Sequence, residues 1–137
     1  SYTDEENLFA QELYKTLFNP DRAIGDQETI QPLVLSQTKG STDVGDVSWK
    51  VPTSGVRIAT WVPGTSSHSW QAVAAGGTSI GTKGSTLAAK ALANSAVRLF
   101  EEPTLIKMAW NEHKANIGDH DYQALLGDRE PPLDYRK

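Results

Sequence analysis

One segment of the sequence has the composition of a strong β-strand, yet no second strand of similar strength accompanies it. The segment Val56–Val62 is rich in the β-branched and aromatic residues that favour strands. A single strand leaves backbone donors and acceptors unpaired along both of its edges. We therefore expect this chain to be a segment of a larger domain or to pair with another copy of itself.

The clearest helix is predicted close to the first residue. Thr3 followed by Glu6 has the spacing of a capping box, and apolar residues continue on one face as far as Phe18. Asn19 and Pro20 then end the pattern. The sequence predicts a helix over residues 3–18.

Two further helices are predicted in the second half of the chain. Ser85 can cap a long, alanine-rich helix over about residues 86–101, whose apolar surface is typical of a helix packed closely on a sheet. Pro103 favours the start of a third, amphipathic helix that extends to about Ile117. The last residues, 128–137, are predicted to form an extended tail.

The remaining segments are predicted to be irregular. Gly40–Asp46 and Thr65–Lys83 are rich in residues that favour turns and exposed loops. Pro32–Leu35 fits either a short buried strand or a loop packed on the core.

Composition excludes several classes of function. The net charge is −4, and the basic residues are dispersed, so no surface for nucleic acid is predicted. The sequence contains 0 cysteines, which excludes disulfides and thiolate metal sites and fits a cytoplasmic protein. No apolar run approaches the roughly 20 residues of a membrane span, so we expect a soluble protein.

His68 is the residue whose position most suggests chemistry. It lies in a Gly/Ser-rich loop directly after the predicted strand, where α/β enzymes place ligands and catalytic groups. A single loop histidine is, however, more often a surface residue, and zinc requires about three or four protein ligands. Only Asp43 and Asp46 supply acidic groups in reach, so both interpretations stay open.

Familiar motifs are otherwise missing. The 40–46 loop lacks the ligands of an EF-hand, and Thr82 stands where a phosphate-binding loop needs lysine. The residues directly before the long helix form either a plain turn or a site whose free backbone N–H groups bind a substrate carboxylate, and both interpretations stay open. His113 and His120 lack metal spacing, and neither a nucleophile elbow nor a cysteine nucleophile is present.

Several longer motifs, in order along the chain, carry a family resemblance: Gly40–Trp49, Pro52–Thr53, His68–Gln71 and Ser79–Gly84. Together they resemble the C-terminal catalytic segment of amidohydrolases that act on p-aminobenzoyl-glutamate. These enzymes belong to the dinuclear metallopeptidase family that includes carboxypeptidase G. The resemblance implies the α/β class, with residues 1–137 forming the C-terminal part of a helix-flanked mixed sheet of the zinc exopeptidase type, incomplete on its own.

The resemblance also implies a site. His68 matches the family's last metal ligand, while the other ligands and the general-base glutamate lie upstream, and two Zn or Mn ions are expected in the full-length enzyme. Thr42, Asp43, Ser79, Gly81 and Lys83 are expected to line the substrate pocket. Thr82 replaces a histidine that is common in relatives.

The function so implied is cleavage of an N-acyl amino acid amide, such as p-aminobenzoyl-glutamate, by a metal-activated water. These 137 residues would be inactive alone, and the full-length protein would be a homodimer or pair with a homologous subunit. The alternative is a stand-alone, non-catalytic binding or assembly module.

Overall fold

A computed structural model describes residues 1–34, 40 and 42–134. The chain divides into two compact units, and each is considered by itself. The first comprises Ser1–Gln37 and Gly55–Phe100, and the second comprises Thr38–Ser54 and Glu101–Lys137. Among the described helices, none combines the length and hydropathy needed to cross a bilayer.

Helices are the regular structure of both units. The first unit contains α1 (Asp4–Tyr14), a 3₁₀ turn (Asp26–Glu28), α3 (Trp70–Gly76) and most of α4 (Ser79–Glu101). The second contains α2 (Val44–Lys50) and α5 (Pro103–Ile117). Residues 1–34, 40 and 42–134 include no strand, so the expected α/β class with a mixed sheet is wrong.

The predicted strand is irregular because none of the described residues pairs with it. No described residue forms a backbone hydrogen bond with residues 56–61. Burial increases along the segment, since Ile58, Thr60 and Trp61 are half-buried, Val62 is fully buried, and residues 56, 57 and 59 are exposed. Residues 56–62 therefore show neither the two-residue alternation of a strand nor the backbone ladder that defines one.

The capping box predicted at the start of α1 is confirmed. The Thr3 hydroxyl accepts a hydrogen bond from the Glu6 amide at 3.2 Å, and the Glu6 carboxylate accepts one from the Thr3 amide at 2.7 Å. The helix ends at Tyr14, before Phe18, because the amides of Thr16 and Leu17 bond three residues back in a tighter turn. Phe18 is consequently exposed.

The glycine-rich stretch 65–83 is more helical than predicted. It contains all of α3, and α4 begins at Ser79, so Ser85 lies inside that helix and does not cap it. Ser69 instead caps α3 by accepting a hydrogen bond from the Ala72 amide. The expectation of an irregular segment was wrong because tertiary packing overrides the low helix propensity of Gly, Ser and Thr.

The core of the first unit lies where α1, α3 and the beginning of α4 meet. Its buried members are Ala10 and Leu13 of α1, Ala75 of α3, Ile80 of α4, and Val62. Half-buried aromatic and aliphatic side chains surround them: Tyr2, Phe9, Tyr14, Ile24 and Trp61. This core holds the loop of His68 between Val62 and α3.

The second unit confirms one prediction and corrects another. The helix expected from Pro103 to Ile117 is present over those residues. The segment expected to remain a loop as far as Asp46 instead turns into α2 at Val44. Trp49 of this helix packs against His120, with ring centroids 4.5 Å apart.

Two further predictions concern less regular segments. Residues 32–34 form neither strand nor helix, and Leu35 lies outside the described residues. Residues 128–134 contain no helix or strand, and residues 135–137 also lie outside the described part of the chain. The domain assignment of residues 1–137 and the extended tail at 128–137 stay predictions.

Candidate functional site

The His68 loop joins the buried Val62 to α3. The amide of Thr65 donates to the carbonyl of Val62 at 3.1 Å, and the Ser69 hydroxyl donates to the carbonyl of Ser66 at 2.7 Å. Between these two turns the His68 side chain is exposed. Its imidazole is therefore accessible, as a ligand or a catalytic group requires.

The backbone of His68 is strained. Its φ of 58° lies in the left-handed region, which L-residues with a side chain rarely adopt. Glycine is the usual occupant of such positions because it has no Cβ atom to clash. Asn19 shares this feature, with a φ of 48°, so the backbone conformation alone does not distinguish His68.

A metal ion does not fit the described residues alone. Within residues 1–34, 40 and 42–134, no three His, Asp, Glu or Cys side chains gather closely enough to hold an ion. His68 would supply one ligand, whereas zinc sites use about three or four. Any metal centre that includes His68 must therefore take its other ligands from outside these residues.

Ser79 and Lys83, expected to contact substrate, both bind the carboxylate of Glu6. The Ser79 hydroxyl donates to one carboxylate oxygen at 2.5 Å, and the Lys83 ammonium donates to the other at 2.6 Å. Glu6 is buried, whereas half of the Lys83 side chain is exposed. These contacts connect the first turn of α1 with the first turn of α4.

This environment strongly favours the ionised form of Glu6. Hydrogen bonds from Lys83, from Ser79 and from the Thr3 amide lower the pKa of the Glu6 carboxyl from 4.5 to about 2. At neutral pH the cluster is therefore a carboxylate held by three donors. It shows that the first turn of α4 can bind a carboxylate, and that this turn already holds an internal one.

Gly81, also expected to line the pocket, is buried against α3. A Cβ atom at this position would lie 2.8 Å from the carbonyl carbon of Gly76 and 2.9 Å from its Cα atom. The last turn of α3 and the first turn of α4 thus meet backbone to backbone. Gly81 permits this close approach.

Thr42 and Asp43 belong to the second unit. The Thr42 hydroxyl accepts a hydrogen bond from the Val44 amide at 3.3 Å, and the Asp43 carbonyl accepts one from the Asp46 amide at 3.1 Å. Asp43 precedes α2, but its side chain makes no capping bond to the helix. Both residues therefore shape the start of α2, and their predicted contact with substrate stays a prediction.

The sequence predicted only part of the role of Glu6. Its place in the capping box was predicted, but its contacts with Ser79 and Lys83 were not. Those partners lie 73 and 77 residues along the chain, and no local pattern indicates such a pairing. The sequence shows only that residue 6 is acidic, and the capping box already explains an acidic residue at that position.

Comparison with known proteins supports the resemblance carried by the sequence motifs. No family model matches the chain, and no solved structure matches it either. One curated relative is 33% identical over 138 aligned positions, which cover 82% of this chain. That relative comes from Escherichia coli strain K12. The chain is similar to one of the subunits of p-aminobenzoyl-glutamate hydrolase.

The match to this p-aminobenzoyl-glutamate hydrolase protein confirms the recognised resemblance. The chain spans 29% of the length of that relative, so most of the E. coli protein has no counterpart in these 137 residues. The relative's name describes it as a hydrolase and as one subunit.

Proposed function

We propose that this chain is the C-terminal portion of a metal-dependent amidohydrolase that cleaves an N-acyl amino acid amide such as p-aminobenzoyl-glutamate. The observation that carries the proposal is the 33% identity to the E. coli p-aminobenzoyl-glutamate hydrolase protein over 82% of the chain. The proposal includes a cytoplasmic location, which the 0 cysteines support.

His68 is the residue that we propose as a metal ligand. Its exposed side chain and its left-handed backbone support a functional role. Since the described residues supply only this ligand, polypeptide outside them would provide the other ligands and the general-base glutamate. The 137 residues would therefore be inactive by themselves.

The substrate-contacting residues are a separate part of the proposal. Ser79 and Lys83 bind the Glu6 carboxylate, and this supports the ability of the first turn of α4 to hold a carboxylate. A substrate carboxylate would have to displace Glu6 from these donors or bind beside it. Gly81 shapes the backbone of that turn, whereas Thr42 and Asp43 belong to the second unit, and we propose their contact with substrate separately.

A second polypeptide chain is the last part of the proposal. The E. coli relative is named as one subunit of its hydrolase. We therefore propose that the full-length protein assembles with a homologous subunit or with a second copy of itself.

The test compares the 137-residue chain with the full-length polypeptide that the source gene encodes. Release of p-aminobenzoate from p-aminobenzoyl-glutamate and the bound metal content are measured for both. We expect the full-length protein to bind about two divalent ions and to hydrolyse the substrate, and the 137-residue chain to do neither.

Substitutions at the His68 loop then test the proposed ligand. We expect His68→Ala to reduce both metal content and hydrolysis in the full-length protein. Ser67→Ala is the matched control, because its side chain is exposed in the same turn. Full activity of His68→Ala, or hydrolysis by the isolated 137 residues, would contradict the proposal.

A further inference from the structure

One hydroxyl, that of Ser69, joins the loop before His68 to the helix after it. This hydroxyl donates a hydrogen bond to the Ser66 carbonyl at 2.7 Å and accepts one from the Ala72 amide at 3.2 Å. The first bond closes the turn that contains His68, and the second caps α3. The same side chain therefore connects the turn around His68 to the helix that follows.

Both ends of the His68 loop are anchored in the first unit. At its start, a Cβ atom added to Gly64 would lie 2.6 Å from the Cβ atom of Pro20, so these two segments are in close contact. At its end, Ala72 and Ala75 of α3 are buried. The conformation of His68 therefore depends on the few bonds within the loop itself.

The left-handed backbone of His68 requires a bond of this kind. For a residue with a Cβ atom, a φ of 58° has a cost of the same order as the contribution of one hydrogen bond. The bond from the Ser69 hydroxyl to the Ser66 carbonyl spans His68. Its loss would let the backbone relax to a negative φ, and the imidazole would then point in another direction.

We propose that Ser69 is the positioning residue of His68. As a donor to the Ser66 carbonyl, its hydroxyl holds the His68 backbone in the left-handed conformation and so fixes the direction of the imidazole. This role of Ser69 rests on the proposed function, which gives His68 its part in the chemistry. Ser69 acts through His68 and is not required to touch the substrate.

Substitutions at position 69 separate the two bonds of the hydroxyl. Ser69→Asp keeps an acceptor for the Ala72 amide, because aspartate is a favourable N-cap, but an ionised carboxylate cannot donate to a carbonyl. Ser69→Thr keeps both the donor and the acceptor, and threonine readily adopts the extended backbone of this position. Ser67→Ala is the control, because its side chain is exposed in the same turn.

The first measurement does not depend on activity. Nuclear magnetic resonance of the 137-residue chain reports the φ of His68 through the distance between its amide and Hα protons, which is shortest near this left-handed φ. We expect a positive φ in the unmodified chain, in Ser67→Ala and in Ser69→Thr, and a negative φ in Ser69→Asp. A positive φ in Ser69→Asp would overturn the inference, as would a negative φ in Ser69→Thr or in the unmodified chain.

The second measurement follows hydrolysis of p-aminobenzoyl-glutamate by the full-length polypeptide. We expect Ser69→Asp to lower kcat on the order of 10- to 100-fold with KM little changed, and Ser69→Thr to keep the unmodified value. Thermal unfolding of Ser69→Asp should be unchanged, because the cap of α3 is kept. A merely structural role would instead make Ser69→Asp as active as Ser69→Thr, and that result would overturn the inference.

His68→Ala distinguishes a failure of this inference from a failure of the proposed function. Full activity of His68→Ala would contradict the proposed function, and the φ of His68 in Ser69→Asp would then decide the inference by itself. An inactive His68→Ala beside a fully active Ser69→Asp would overturn the inference and leave the proposed function standing.

Discussion

The ammonium of Lys83 lies 2.6 Å from a carboxylate oxygen of Glu6, a residue 77 positions earlier in the chain. This ion pair, with the Ser79 hydroxyl on the other oxygen, connects the first turns of α1 and α4. Glu6 is buried, so its charge depends on these donors for the solvation that water would otherwise supply. The pair therefore links the stability of the first unit to the ionisation of one carboxyl.

Acid is expected to weaken the first unit through Glu6. Because the folded state lowers the pKa of this carboxyl from 4.5 to about 2, the stabilisation is complete above pH 4.5 and is lost as the pH falls towards 2. Urea unfolding followed by circular dichroism at several pH values measures this loss. We expect Glu6→Gln to be less stable at neutral pH and to lack this part of the acid dependence.

The control for Glu6→Gln is Glu12→Gln. Glu12 pairs with Lys15 in the same helix, but both side chains are largely exposed, so water screens their interaction. The acid dependence of Glu12→Gln should match that of the unmodified chain. An unchanged acid dependence in Glu6→Gln would contradict the assignment to Glu6.

Gly84→Ala is expected to separate α4 from the irregular segment before Trp61. A Cβ atom at Gly84 would lie 2.8 Å from the Thr60 side chain and 3.0 Å from the Ala59 carbonyl carbon. Backbone cannot move aside as a flexible side chain can, so we expect a loss of about 1–3 kcal/mol in the free energy of unfolding. Gly45→Ala in α2 is the control, because no described atom lies within 4 Å of its added methyl group.

Glycine is expected to be tolerated better than alanine at position 68. His68→Gly and His68→Ala both remove the imidazole, but only alanine keeps a Cβ atom at the φ of 58°. We expect His68→Gly to be more stable by about 1 kcal/mol, measured by urea unfolding. Equal stability of the two variants would show that the loop relaxes out of the left-handed conformation.

The ring of Tyr122 stacks on that of Trp49, with centroids 6.1 Å apart, and we expect this packing to weaken at high pH. The Tyr122 hydroxyl donates to the Asp46 carboxylate, and this hydrogen bond, with burial, raises the pKa of the phenol above 10.0. The contribution to stability is therefore present below pH 10 and lost as the pH rises through the higher folded-state pKa. Tryptophan emission should change in that range, and Tyr122→Phe should remove the change.

The sequence predicts those parts of the fold that depend on neighbouring residues. The capping box of α1 and the start of α5 at Pro103 are short-range signals, and both are confirmed. The beginning of α4 at Ser79 was not predictable, because Gly81 and Gly84 have low helix propensity and are helical only where other backbone packs on them. Segment 56–62 has strand composition, but a strand also needs a partner from elsewhere.

The candidate site likewise has features that neighbouring residues predict and features that depend on tertiary packing. His68 was predicted from its place in a loop, and the structure exposes it there, although its backbone conformation could not be read from the sequence. Ser79 and Lys83 were expected to contact substrate, and their contact with Glu6 depends on the packing of α1 beside α4. Pairings between residues so far apart arise from the tertiary structure, which no local pattern specifies.

The contact between Gly76 and Gly81 has a mechanical consequence. Because the corner between α3 and α4 closes main chain against main chain, no rotamer change can open or narrow it. The direction in which α4 leaves this corner is therefore set by the contact between main-chain atoms, and small angular changes there would grow along the 23 residues of the helix. The two glycines therefore fix the direction of the whole helix.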